Sequence, residues 1–141
     1  MKSFAACSGF SASASSVLVV ALAVLAAGCG GSSTLTPKSL QQQADTAKSA
    51  AAEGALLASD VARERTTEPF ARIHSEKLAE QAKGAAETLA NAKAPASLEP
   101  ERREAAAAAR STAAALDELH EAPDDQSVAR RVERDLKALS R

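Results

Sequence analysis

The side chains best suited to bind a metal are two histidines, His74 and His120, and the carboxylates near them. Helical bundles that hold two iron ions place a Glu-x-x-His pair on each of two helices, because residues three apart share one face. Asp117-x-x-His120 approximates one such pair, whereas His74 has no carboxylate three residues before it. We therefore predict no metal site and no cofactor. A metal- or cofactor-binding helical bundle is the alternative interpretation.

No nucleophile has the neighbours that catalysis would require. The chain lacks a Gly-x-Ser-x-Gly turn, a Cys-x-x-Cys-His haem site and a phosphate-binding glycine loop, and Gly54 and Gly84 are single glycines within predicted helices. With 17 Lys and Arg against 18 Asp and Glu, the net charge of −1 is too balanced for a nucleic-acid partner. We expect a protein that is not an enzyme.

The second of the two cysteines, Cys29, has a distinctive setting. An apolar run of eleven residues, 17–27, suits a signal peptide and is too short to span a bilayer. The residues that follow Leu25, Ala26-Ala27-Gly28-Cys29, resemble the lipobox of bacterial lipoproteins, although Leu is more usual than Ala at the position of Ala26. An ordinary secretory signal cut after Ala27 or Gly28 is the alternative.

This resemblance implies cleavage after Gly28 and a lipid, diacylglycerol with palmitate, on Cys29. The chain would then be anchored by lipid to a cell membrane and face away from the cytoplasm. Residues 1–28 form the removed signal peptide, 29–36 the lipidated cysteine with a Gly/Ser spacer, and 37–141 an alanine-rich domain. That domain is similar only in general terms to small uncharacterised helical lipoproteins.

The mature chain has alanine where most domains have larger apolar residues. It contains 28 alanines after Cys29 but only sixteen Leu, Val, Ile and Phe residues, with Phe70 as the sole aromatic. Alanine favours helix at little side-chain entropy cost. Prolines and candidate N-caps divide the chain into helices at about 37–65, 68–93, 98–121 and 125–139, capped by Thr36, Thr67, Ser97 and Asp124. The short connections predict an all-α, up-down antiparallel bundle of about four helices.

Each predicted helix has an apolar stripe at helical spacing, and no segment alternates with a period of two. The stripe on the second helix includes Phe70, Ala71, Leu78 and Leu89, and it places His74 in its middle. We therefore expect Phe70 to belong to the core. We also expect His74 to be packed inside the bundle and hydrogen-bonded to a neighbouring helix. A contact with a ligand or a partner is the alternative for His74.

Four basic residues lie on one face of the last helix: Arg130, Arg134, Lys137 and Arg141. They could contact anionic lipid or cell-wall polymer, or form a solvated helix face on which Glu133 and Asp135 dilute the charge. Together these features predict a membrane-anchored, non-enzymatic helical lipoprotein that binds a protein or another envelope component. Association into a homo-oligomer would be another way to complete its thin core.

Overall fold

The computed structural model describes residues 34–141, which contain four helices. These are α1 (Pro37–Ala62), α2 (Glu68–Asn91), α3 (Glu99–Glu121) and α4 (Gln126–Leu139). The predicted all-α bundle is confirmed. Within these residues the extended pairing amounts to one isolated parallel bridge, between Thr34 and Lys93.

Two helices begin at the predicted caps and two begin one residue later. At Thr36 the hydroxyl accepts from the Ser39 amide at 3.1 Å, and the Ser39 hydroxyl accepts from the Thr36 amide at 2.9 Å, which completes a capping box before α1. Thr67 is the N-cap of α2. The caps of α3 and α4 are Leu98 and Asp125, so the predictions of Ser97 and Asp124 were wrong.

Hydrogen bonding explains why Asp125, and not the adjacent Asp124, is the N-cap of α4. One carboxylate oxygen of Asp125 accepts from the backbone amides of Ser127 at 2.7 Å and Val128 at 3.2 Å. These amides lie in the first turn of α4, where no intrahelical carbonyl can reach them. Asp125 therefore supplies the hydrogen-bond acceptor for two backbone amides at the start of the helix.

Helices that follow one another in the chain run antiparallel, and so do α1 and α4, as the contacts between their ends show. Arg102, near the start of α3, donates to the carbonyl of Leu89, near the end of α2, at 2.7 Å. Lys48, in the first half of α1, donates to the carbonyl of Arg141, after the end of α4, at 3.2 Å. Helices α1 and α3 contact each other and both remaining helices, whereas α2 and α4 do not touch. In cross-section α2 and α4 thus occupy opposite corners of the bundle.

The core combines a few leucines with many alanines. Its largest fully buried apolar residues are Leu89, Leu116, Leu119, Val132 and Leu136. Alanines 50, 51, 58, 82, 109 and 129 are also completely buried. Small side chains let the helix axes approach closely, so that a few leucines can fill the remaining space.

The packed domain begins before the predicted boundary at Pro37. Leu35 is 5% exposed and packs in one cluster with Leu40, Leu89 and Ala106. Its amide donates to the carbonyl of Lys93 at 2.8 Å. The chain therefore enters the bundle beside the α2–α3 connection.

Candidate binding surface

The half metal-binding pattern at the end of α3 is used for contacts between helices. Asp117 accepts from Lys83 of α2 at 2.8 Å. Nδ1 of His120 lies 3.0 Å from the carbonyl oxygen of Arg72, and because a carbonyl can only accept, Nδ1 carries the proton. In the part of the chain that the structure describes, no three His, Cys, Asp or Glu side chains form a group that could hold a metal.

Phe70 lies at the surface and His74 is only partly buried, contrary to the sequence-based prediction. Phe70 is 55% exposed, and the ring of His74, which is partly exposed, stacks on it with centroids 5.3 Å apart. Ala71, one position along the helix and completely buried, fills the place in the core.

Phe70 belongs to a group of exposed large hydrophobic side chains, which we call the apolar patch. It consists of Leu56 on α1, which is 68% exposed, and Phe70 and Ile73 on α2, of which Ile73 is 54% exposed. Leu56 and Phe70 line one shallow hollow, with Leu57 and His74. No other large hydrophobic residue among residues 34–141 is similarly exposed.

Two carboxylates of α1, Glu53 and Asp60, also line this hollow. Asp60 is paired with Arg65 at 2.6 Å, whereas Glu53 has no ion-pair partner in the described residues. The hollow therefore combines apolar side chains with negative charge along its α1 edge. This combination suits an apolar group that has basic neighbours.

All four residues of the basic stripe, Arg130, Arg134, Lys137 and Arg141, are exposed on α4. Arg130 donates to the side-chain oxygen of Gln126 at 2.8 Å, and Lys137 to Glu133 at 2.7 Å. The stripe therefore faces solvent, and its charge is only partly compensated on α4.

The fold extends this stripe onto α1, which sequence patterns could not indicate. Lys48 reaches the carbonyl of Arg141, and the charge of Arg63 acts on Glu133. The hydrogen bond from Lys137 lowers the pKa of Glu133, together with the nearby charges and a hydrogen bond from Ser59. Glu133 is only 16% exposed and points into this network. We call the stripe together with Lys48 and Arg63 the basic face.

The predicted cleavage site at Gly28 and the predicted lipid site at Cys29 lie outside the described residues. No helix within residues 34–141 is both long enough and apolar enough to span a bilayer. No protein-family model matches the chain, and neither curated proteins nor solved structures show a significant match to it.

Proposed function

We propose that this chain is a membrane-anchored, non-enzymatic lipoprotein whose helical bundle binds a protein partner through the apolar patch. The anchor is the lipid on Cys29, after removal of residues 1–28 at the lipobox-like sequence. The binding surface is the hollow between α1 and α2 lined by Leu56 and Phe70, together with the exposed Ile73 about one turn after Phe70 on α2. The bundle supplies a rigid support for this surface.

The exposure of these three side chains is the observation that carries the proposal. A domain with only sixteen large apolar residues leaves three of them, including its sole aromatic, largely exposed to solvent. Burying each one would gain roughly 1.5–3 kcal/mol. Grouped apolar exposure on a soluble domain is typical of an interaction site, and aromatic side chains are common anchors in interfaces.

The charge around the hollow specifies the partner further. Glu53 and Asp60 lie on the α1 side of the apolar group. A partner segment with an apolar side chain flanked by Lys or Arg would bury its apolar group against Phe70 and place its cations beside these carboxylates. An acidic segment would meet like charge.

The position of the patch is compatible with an anchored protein. Leu56 follows Pro37 by 19 residues, which corresponds to about 28 Å along the axis of α1. The patch is thus far along the bundle from the point at which the chain enters it. A partner would reach it without competing for space with the tether.

Site-specific photocrosslinking in cells tests the proposal. Benzoylphenylalanine in place of Phe70 should give an adduct with one discrete protein, and the same group in place of the exposed Ala107 on α3 should not. The adduct should decrease with Leu56→Ser and Glu53→Lys, but not with Glu87→Lys, which reverses an exposed charge elsewhere on α2. Circular dichroism would verify that each variant is folded. Equal adducts from positions 70 and 107, or adducts insensitive to Glu53→Lys, would contradict the proposal.

A further inference from the structure

We infer that the α4 side of the bundle lies against an anionic lipid surface, so that α2 and its apolar patch face away from the membrane. The inference rests on the proposed lipid anchor, and it adds an orientation to that function. It depends on the charge of the basic face, on the length of the tether and on the opposite positions of α2 and α4.

The distribution of charge over the domain is uneven. Residues 34–141 contain 16 basic and 18 acidic side chains, yet the basic face brings together six basic ones. These are Lys48, Arg63, Arg130, Arg134, Lys137 and Arg141. The acidic side chains within α4 are Glu133 and Asp135. Glu64 accepts from Gln126 at the start of α4, and Glu101 and Glu104 of α3 line a hollow with Lys48. A domain with a net negative charge thus has one strongly positive side.

These acids offset only part of the positive charge. Glu133 is mostly buried and is held by Lys137 and Ser59, so little of its charge reaches solvent. Glu64 accepts a hydrogen bond from the amide of Gln126, and that amide in turn accepts from Arg130. Arg134, in the middle of the stripe, has no ion-pair partner in the described residues.

The tether favours a lipid surface over a soluble polyanion. From Cys29 to Thr34 the chain advances five residues, which span at most about 18 Å. A lipid on Cys29 would therefore hold the start of the bundle close to the headgroups. Contact between the basic face and those headgroups becomes an intramolecular event with a high effective concentration, so individually weak charge attractions suffice.

The bundle geometry then fixes what faces outward. Helix α4 packs on α1 and α3, and α2 occupies the opposite corner without touching α4. With the basic face on the lipid, Phe70 and Ile73 on α2 point away from the membrane. The orientation that places the basic face on the anionic headgroups would also leave the apolar patch accessible to a partner.

The test separates this orientation from the question of lipidation in cells. Residues 34–141 pack into one unit with its own core, so a chain of residues 29–141 can be coupled through Cys29, its sole cysteine, to a maleimide lipid in vesicles. The chain contains no tryptophan. Single Ala138→Trp on α4 and Ile73→Trp on α2 therefore report the distance to a dansyl lipid by energy transfer.

We expect stronger energy transfer from position 138 than from position 73 on vesicles with phosphatidylglycerol, and no difference on phosphatidylcholine or at high salt. Changing Arg130, Arg134, Lys137 and Arg141 to Gln should abolish the difference. A matched control neutralises four exposed cations elsewhere, Lys38, Lys77, Lys93 and Arg110, and should preserve it. The affinity of untethered residues 34–141 for the anionic vesicles should fall at least about tenfold when the four stripe residues are changed, and should not fall in the control variant.

Equal transfer from both positions on anionic vesicles would overturn the inference. So would an unchanged difference in the stripe variant, or binding of the basic face to purified anionic wall polymer with no binding to vesicles. Because the lipid is attached chemically, absence of lipidation in cells would contradict the proposed anchor without altering these results.

Discussion

A Cβ atom on Gly54 of α1 would lie only 2.5 Å from Cδ2 of Leu116 on α3, and 2.9 Å from Cδ1 of Leu136 on α4. Real Cβ atoms do not approach other carbon atoms so closely. Both leucines are completely buried, so neither can move into solvent to make room. The absence of a side chain at Gly54 therefore allows three helices to meet at this level of the core.

Gly54→Ala should destabilise the bundle. Overpacking a core costs about 1–3 kcal/mol, and the better helix propensity of alanine returns up to about 1 kcal/mol. We expect a net decrease of up to about 2 kcal/mol in the free energy of unfolding, measured by urea denaturation of residues 34–141.

Gly84→Ala is the matched control. Gly84 also lies within a helix, α2, but a Cβ atom there would meet nothing within 4 Å. The substitution should stabilise the bundle by about 0.5–1 kcal/mol, because only the helix propensity changes. If both substitutions shifted stability in the same direction, the close approach at Gly54 would not matter for folding.

Asp125→Ala should lower stability by about 0.5–2 kcal/mol, the usual cost of removing an N-cap side chain. Its carboxylate is the acceptor for two amides at the start of α4. Asp124→Ala should have little effect, since Asp124 precedes the cap and is exposed. Thermal unfolding monitored by circular dichroism distinguishes the two. The reverse order would show that α4 is capped by Asp124 in solution.

The free energy of unfolding should depend on pH through Glu99. This residue is the first of α3 and forms ion pairs with Arg102 and Arg103 in the next turn of the same helix. Hydrogen bonds from Arg102, and then from Arg103, lower the pKa of Glu99 from 4.5 to about 2. The unfolded chain thus binds a proton at Glu99 more readily than the folded chain. The contribution of this carboxylate is complete above the unfolded pKa and is lost as the pH falls from about 4.5 towards 2.

The corresponding experiment compares wild type with Glu99→Gln in urea at about pH 6, pH 4 and pH 3. The wild type should be more stable at the highest pH, and the difference should shrink as the pH falls. Asp125 and Glu133, whose pKa values are also lowered, are present in both proteins and cancel in the comparison. A difference that stays constant over this range would show that the Glu99 ion pairs do not form in solution.

Helix number and type could be predicted from the sequence because proline positions and apolar spacing are local properties. Pro37 and Pro69 mark the first turns of α1 and α2, where proline fits. The observed N-caps of α3 and α4 each lie one residue after the predicted ones. At α4 two neighbouring aspartates satisfy the same pattern, and only the hydrogen bonds of Asp125 distinguish them.

The candidate binding surface could not be predicted in the same way. The apolar stripe on α2 includes both Phe70 and Ala71, and apolar character alone does not show which of two neighbouring positions faces the core. The structure buries Ala71 completely and leaves Phe70 55% exposed. Neighbouring positions differ by about 100° around the helix, so Phe70 lies at the surface although Ala71 lies in the core. Lys48 and Arg63 joined the basic stripe only through the packing of α1 against α4.

The most direct test of the proposed function is mass spectrometry of the mature N-terminus, purified from bacterial membranes. We expect a first residue of Cys29 bearing diacylglycerol, and a Cys29→Ser variant that is neither lipidated nor processed at this site, because a hydroxyl cannot replace the thiol as the acceptor. An unmodified mature N-terminus at Cys29 or Gly28, or fatty-acid incorporation that persists in Cys29→Ser, would contradict the anchor and with it the membrane-bound function proposed for the bundle.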